Sequence, residues 1–526
     1  MTPGACGNEL SSSSQPAPPL TSRHPTERHS YGEILKSSAL IGGSSLFNIA
    51  IGIFRTKVIA LLLGPAGFGL TGLYLSVSNL AQSVAGFGVN SSGVRQIAEA
   101  FGSGNTDRIA RTAAVLRRVS LVLGALGAAL LIVFSKQVSI VTFGSARNAG
   151  AICLLSLAVF FTLVSNGQGA LIQGMRRISD LARMGVLGGS LGVILTIVLV
   201  YFLRERGIVL SLVGVALMSL VISWFYSRKL RVRSPSMTLS EVGHEASPLL
   251  KLGFAFMASS LVTMGSAYAV RIIVLHKIGL QATGFYQSAW ALGGLYVGFI
   301  LQAMGADFYP RLTASANDNP KCNRLVNEQT RVGLLLAGPG VIATMVFAPL
   351  VVALLYSAKF GAAVGILRWV CLGVMLQVIS WPMGYIIVAK NDRVLFLLSD
   401  LFWAIVHIGL AWTCVRYFGL DGAGIAFFGS YIFHVFLTYT IVRHRSGFRW
   451  STDNKQTGAL YLVLVAGAFT APYFLPFFWA TCAGTVAVIL SGAYSIRVLA
   501  TLVPLSQNPR LLQKLLVFCR LAAFES

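Results

Sequence analysis

Apolar runs of about 20 residues recur from Ser37 to Val503, and this recurrence leaves the chain few possible folds. A run of that length crosses the hydrocarbon core of a bilayer as one helix. No water reaches the backbone there, so every N–H and C=O must be satisfied internally. Spans this long meet that demand as helices. Composition agrees: 55% of the 526 residues are hydrophobic and 11% charged, against about 25% charged in a soluble chain. The pattern predicts an all-α polytopic membrane protein of about fourteen spans. They fall near residues 37–63, 68–92, 111–134, 150–173, 182–203, 207–227, 250–276, 284–306, 331–356, 363–389, 394–416, 421–442, 458–478 and 480–503. A Pro/aromatic break from Pro472 to Trp479 separates the last two.

The net charge is +24, from 41 Lys and Arg against 17 Asp and Glu. In a soluble protein that excess would suggest nucleic acid. Here the basic residues sit in short loops, and no base-reading or base-stacking motif accompanies them, so a nucleic-acid partner is excluded. With the N-terminus inside, basic residues favour the cytoplasmic segments by roughly four to one, which puts both termini in the cytoplasm. Arg55, Lys57 and Arg271, which fall within spans, are assigned to neither side.

The seven cysteines are scattered and form no C-x-x-C pair, so neither a disulfide framework nor a metal site is expected. Residues 1–30 are rich in Ser and Pro, lack an apolar signal-peptide core, and read as a disordered cytoplasmic tail. Residues 506–526 mix basic and apolar positions, as an amphipathic helix on the inner leaflet would. The longest loop, 228–249, is too short for a folded extramembrane domain. A membrane glycosyltransferase, polymerase or ligase would need an acid/base or metal constellation in an outer loop, and none is visible.

The halves repeat at an offset of 215 residues. Lys36 falls on Lys251, Ser44 on Ser259, Ser45 on Ser260, Gly64 on Gly279 and Gly69 on Gly284. Arg55 lands one residue short of Arg271. A unit of six helices returns the chain to its starting side, so the halves share one orientation and are related by an axis along the membrane normal. This predicts a six-helix lobe over 31–227, a cytoplasmic linker over 228–249, a second six-helix lobe over 250–445 and an extra helix pair over 446–505. Gly64-Pro65-Ala66-Gly67 reads as a tight outer turn, and Pro382 as a kink in the tenth helix.

Charges inside spans cost roughly 2.5–3.5 kcal/mol on insertion scales, so each needs a reason. At 100° per residue, Ser44, Asn48 and Arg55 share one helical face, and Lys57 points about 200° away from Arg55. Ser260, Thr263, Ala267 and Arg271 make a similar stripe. Small and polar faces pack against neighbours or line cavities. Arg55 and Arg271 therefore read as cavity cations, for which a phosphate or pyrophosphate is the fitting partner. Snorkelling to the interface is the competing reading, and for Lys57 the preferred one. Asn79 and Gln82, like Asn166 and Gln168, suit sugar hydroxyls or helix–helix hydrogen bonds. Asp400 and His407, seven residues apart on one face, are the candidates for coupling to H⁺ or Na⁺. Alternatively, Asp400 pairs with Arg393. Glu99 and Asp307, at cytoplasmic helix ends, read as structural or gating residues.

Lys57–Tyr74 (KVIALLLGPAGFGLTGLY) and Gly86–Phe101 (GFGVNSSGVRQIAEAF) resemble the Wzx polysaccharide flippases. More closely, they resemble the O-antigen translocase branch of the multidrug/oligosaccharidyl-lipid/polysaccharide exporter superfamily. Gly384–Trp412 and the following GLDGAGIAFFGSYIFH are similar to that family's eleventh and twelfth helices, and the resemblance covers residues 31–445. It implies a two-lobed bundle working by alternating access in the bacterial inner membrane. The implied substrate is an undecaprenyl-pyrophosphate-linked oligosaccharide, such as an O-antigen or exopolysaccharide unit. Membrane lipids, a polysaccharide polymerase and glycosyltransferases are the implied partners, with no cofactor beyond a coupling ion. A cationic cavity is implied as well, with Arg55, Lys57 and Arg271 as its candidates. The pair after Lys455 departs from a twelve-helix plan and is similar to the fourteen-helix lipid II flippases. A cation-coupled multidrug exporter of the same superfamily is the alternative; it would favour carboxylates over cations in its cavity.

Overall fold

A computed structural model describes residues 25–502 apart from 231, 233, 234 and 236. Side chains are described from Gly43 onward, except at residues 45, 46, 239, 252, 255, 256, 296, 299, 302–307, 310 and 393. Most of the expected N-terminal tail, the 506–526 segment, Cys6, Cys519 and the side chains of Asp307 and Arg393 lie outside the described residues.

Among the described residues sixteen α-helices follow one another: α1 (Pro25–Gly86), α2 (Val89–Gly102), α3 (Thr106–Val133), α4 (Ser135–Phe143), α5 (Ala149–Gly174), α6 (Ile178–Leu203), α7 (Arg206–Arg228), α8 (Leu239–Lys277), α9 (Leu280–Ala314), α10 (Asn319–Val346), α11 (Ala348–Leu355), α12 (Ala363–Ala389), α13 (Arg393–Phe418), α14 (Gly422–Ser446), α15 (Thr452–Phe474) and α16 (Phe477–Leu502). Eleven stretches of the described residues are long and apolar enough to cross a membrane. Phe47–Gly86 holds two limbs that meet at Gly64, and Val394–Ser446 holds both α13 and α14. With α9, every expected span finds its helix. The chain is a multi-pass membrane protein.

Local chemistry sets the helix starts. Asn105, Asp318 and Ser451 each accept a backbone N–H three residues on, at α3, α10 and α15. Thr238 and Glu241 form a reciprocal capping box at α8. Glu241 bonds to both the backbone and the side chain of Thr238, which holds its carboxyl below the usual range. Two expectations need correction. Gly64-Pro65-Ala66-Gly67 is no loop: Gly64 alone turns the chain (φ 66°, ψ −171°), and Pro65 opens the next limb. Only glycine adopts that backbone freely, and proline suits a first helical turn. The second span ends at Phe87–Gly88, both at positive φ, where α2 starts as a separate helix. α12 runs through Pro382 as one helix.

In the first lobe α1 packs on α6, α3 and α7 on α5, and α6 on α7. In the second, α8 packs on α13, α13 on α14, and α12 on α9, α10 and α14. Small residues permit the tight crossings: a Cβ on Gly424 would sit 3.0 Å from the Ile366 carbonyl oxygen. α15 and α16 dock on α10, where Gly338 receives the Tyr461 ring and Gly484 receives Val346. The Arg331–Asp453 ion pair and the Asn327–Asn454 hydrogen bonds fasten the same junction.

The repeat is visible in backbone geometry. Gly279, the counterpart of Gly64, also has positive φ and extended ψ (123°, 178°) and opens α9. Their neighbours Gly69 and Gly284 touch: a Cβ on Gly69 would lie 2.7 Å from the Gly284 nitrogen. Repeat-related residues that touch each other lie on the axis relating them, as in a two-fold interface. At the opposite end of the bundle the backbone of Gly88 meets that of Gly253. The lobes therefore touch, glycine to glycine, at both ends.

Candidate functional site

Arg55 lies on the first limb of α1 and lines a cavity of about 460 Å³ within the first lobe. Ser78, Gln82, Thr162, Ser165 and Asn166 share that lining. Gln82 and Asn166 also line an adjoining cavity of about 270 Å³ toward α8, with Asn79, Ser83, Asn90, Ser91 and Ser260. Neither lining holds an Asp or Glu, and among the described residues no carboxylate pairs with Arg55. An unpaired cation in a partly enclosed polar site attracts an anion, because local water screens it poorly. Gln82 donates to Ser78 Oγ at 2.8 Å, and the Ser83 hydroxyl is buried with no partner. Gln168 is different: its amide oxygen accepts from Ser223 of α7 at 2.7 Å, a helix–helix bond.

The other sequence candidates separate. Arg271 is 9% exposed and lines none of the cavities found among the described residues. Its Nε donates to Gln287 Oε1 at 2.8 Å and its Nη1 to the Ala267 carbonyl at 2.9 Å. Gln287 in turn packs against Gly72 of α1, its repeat counterpart. Arg271 thus braces the α1–α8–α9 crossing, and Arg55 and Arg271 stand in different surroundings. Asn48 packs its amide against Gly185 and Gly189 of α6. Lys57 is half-buried and lines none of these cavities. Glu99 pairs with Arg95 at 2.9 Å on the surface.

The second lobe encloses a cavity of about 570 Å³ between α8, α9, α12, α13 and α14. Asp400 lines it and accepts from Ser259 Oγ at 3.3 Å. His407 lies behind this wall, 1% exposed, its Nδ1 3.1 Å from Ser266 Oγ and its ring stacked on Trp403. The two contacts are rungs between parallel helices, two turns or about 10 Å apart. Trp290, Trp381, Tyr385, Trp403, Tyr431 and His434 supply rings to the same wall. Sequence reasoning missed these aromatics, although the i, i+4 spacing of Trp381 and Tyr385 and the i, i+3 spacing of Tyr431 and His434 signal shared faces.

Residues 58–365 match the family described as "Polysaccharide biosynthesis protein". The chain belongs to that family. The sequence-based resemblance to Wzx-type flippases is borne out. Among curated proteins, this member of the polysaccharide biosynthesis family is similar to the "Lipid III flippase" of Escherichia coli (strain K12), with 22% identity over 76% of this chain and 95% of the relative. Among solved structures it is similar to "Lipid II flippase MurJ, inward closed conformation" (TM-score 0.66, 14% identity, 88% of this chain and 99% of that one). It is also similar to an inward-facing multidrug resistance MATE family transporter of the MOP superfamily (TM-score 0.65, 19% identity, 77% of this chain and 94% of that one). The fold of this family member is accordingly the two-lobed, all-helical fold of those transporters.

Proposed function

We propose that the chain is not an enzyme but a flippase of the bacterial inner membrane. It would carry an undecaprenyl-pyrophosphate-linked oligosaccharide, an O-antigen or exopolysaccharide unit, from the cytoplasmic to the periplasmic leaflet by alternating access. Both termini are cytoplasmic, and the lobes 31–227 and 250–445 part alternately at the glycine contacts at their two ends. The observation that carries this reading is Arg55: a cation without a carboxylate partner among the described residues, in a cavity whose other polar lining is amides and hydroxyls. A guanidinium stays charged and binds two phosphate oxygens at once. Asn79 and Gln82 extend the site toward the glycan. Arg271 holds the crossing in register, and Lys57 and Asn48 serve packing and interfacial anchoring. The curated relative named a lipid III flippase supports the substrate class.

Asp400, with His407 behind it, is the site for a coupling H⁺ or Na⁺, since an ionisable group at this depth is kept for function. A polymerase and glycosyltransferases would supply and consume the lipid-linked unit. The second-lobe cavity, with its aromatic walls and single carboxylate, is the one feature an exporter of cationic drugs would share. Loss of surface polysaccharide on Arg55→Ala at matched expression separates the two readings; full display with the variant excludes the flippase.

A further inference from the structure

We infer that the aromatic cavity of the second lobe is a glycan subsite, binding a sugar ring of the lipid-linked substrate while its pyrophosphate sits at Arg55. The inference rests on the flippase reading and adds a second, spatially separate site to it.

A pyranose offers an apolar C–H face and a rim of hydroxyls. The cavity offers the complement. Trp290, Trp381, Tyr385 and Trp403 present rings around about 570 Å³, a volume in the range of small-molecule sites. Gln377 adds an amide on the same lining. Trp381 is 37% exposed on this wall. An indole more than a third uncovered beside a cavity offers a ring face to a partner.

The wall also holds polar atoms without partners. Trp403 Nε1, His434 Nδ1 and Thr438 Oγ1 are buried and make no hydrogen bond. Buried polar groups are nearly always satisfied, so three orphans on one cavity wall call for an explanation. Sugar hydroxyls can donate or accept and would satisfy all three with modest side-chain movement. A quaternary cation such as tetraphenylphosphonium would satisfy none, because it carries neither a hydrogen-bond donor nor an acceptor.

Position supports the assignment. α8 is the wall between the two sites. Ser259 and Thr263 face the aromatic cavity, while Met257, Ser260 and Met264 face the cavity that adjoins Arg55. A helix is about 10–12 Å across. A pyrophosphate on one side and a sugar on the other are within reach of one short saccharide chain bent around α8. At the 215-residue offset Trp381 and Trp403 fall on Asn166 and Gly188, which line the Arg55 cavity, so the repeat has been differentiated: one lobe for the charge, the other for the ring.

The test measures binding by the full chain in nanodiscs. The probes are undecaprenyl pyrophosphate and the same lipid carrying a linear tetrasaccharide that begins with N-acetylglucosamine, long enough to round α8, with tetraphenylphosphonium as the cationic competitor. Wild type should bind the sugar-bearing lipid more tightly. Trp381→Ala, and independently Gln377→Leu, should reduce that preference by about tenfold. Arg55→Ala should weaken both lipids in parallel. If both cavity variants keep the wild-type preference, or if Trp381→Ala abolishes tetraphenylphosphonium binding while the preference survives, the subsite is refuted and the flippase reading stands. If wild type binds neither lipid, the flippase reading falls and takes the subsite with it.

Discussion

Gly69→Ala adds one methyl group at the axis of the molecule, and its effect can be worked out from distances. The new Cβ would lie 2.6 Å from the Leu280 carbonyl oxygen and 2.7 Å from the Gly284 nitrogen. Both are backbone atoms, so no side chain can swing aside. Ordinary contact begins near 3.4 Å, so the second limb of α1 and α9 must separate by roughly 1 Å here. Overpacking of this kind costs about 1–3 kcal/mol. It falls only on states in which this end is closed, because a crossing that has parted does not feel the methyl. At 1.4 kcal/mol per factor of ten, the closed-to-open ratio should fall by about 5- to 150-fold. Spin labels at residues 66 and 281, in a background lacking the native cysteines, report the separation by double electron–electron resonance. Gly69→Ala should shift the distribution to longer distances and slow flipping. Gly492→Ala, where a Cβ meets nothing within 4 Å, is the control and should change neither. A wild-type distance distribution and rate in Gly69→Ala would refute the idea that this crossing opens and closes during transport.

Three further outcomes are expected. Asp400→Asn should keep lipid binding but make flipping in proteoliposomes insensitive to an imposed proton or sodium gradient; retained sensitivity would remove Asp400 from coupling. Gly338→Leu should drive the Tyr461 ring out of its seat on α10 and lower thermal stability by about 1–3 kcal/mol, read from the melting of the purified protein; an unchanged melting temperature would show that α15 does not dock there. Gln287→Leu should leave the buried Arg271 guanidinium without its 2.8 Å partner and destabilise the fold by about 1.5–3 kcal/mol, while Arg55→Ala, facing a cavity, should cost little stability.

Much of the architecture was legible because the bilayer restricts the options so severely. Span number followed from run length, and the equivalence of Gly64 and Gly279 followed from a constant offset that both backbones honour. Helical phase put Arg55 on a face that lines a cavity, while Arg271 and Asn48, read onto faces of the same kind, are engaged by neighbouring helices. Phase says which residues share a face, not what that face meets. For Arg271 it meets Gln287 and the Ala267 carbonyl; for Asn48 it meets two glycines of α6. Asp400 and His407 do share a face, but Trp403 seals one of them from the cavity that the other lines. The aromatic lining of the second lobe was invisible for a related reason. Trp and Tyr are equally at home against lipid, so composition cannot tell a cavity wall from the outer surface.

The central claim is that Arg55 holds the pyrophosphate during translocation. The most direct measurement is leaflet exchange of undecaprenyl-pyrophosphate oligosaccharide in proteoliposomes, comparing wild type, Arg55→Lys and Arg55→Ala at equal protein. The account predicts catalysed exchange by wild type, partial activity with lysine, which keeps the charge but not the fork, and at least a roughly tenfold loss with alanine. Exchange by Arg55→Ala at the wild-type rate would contradict it.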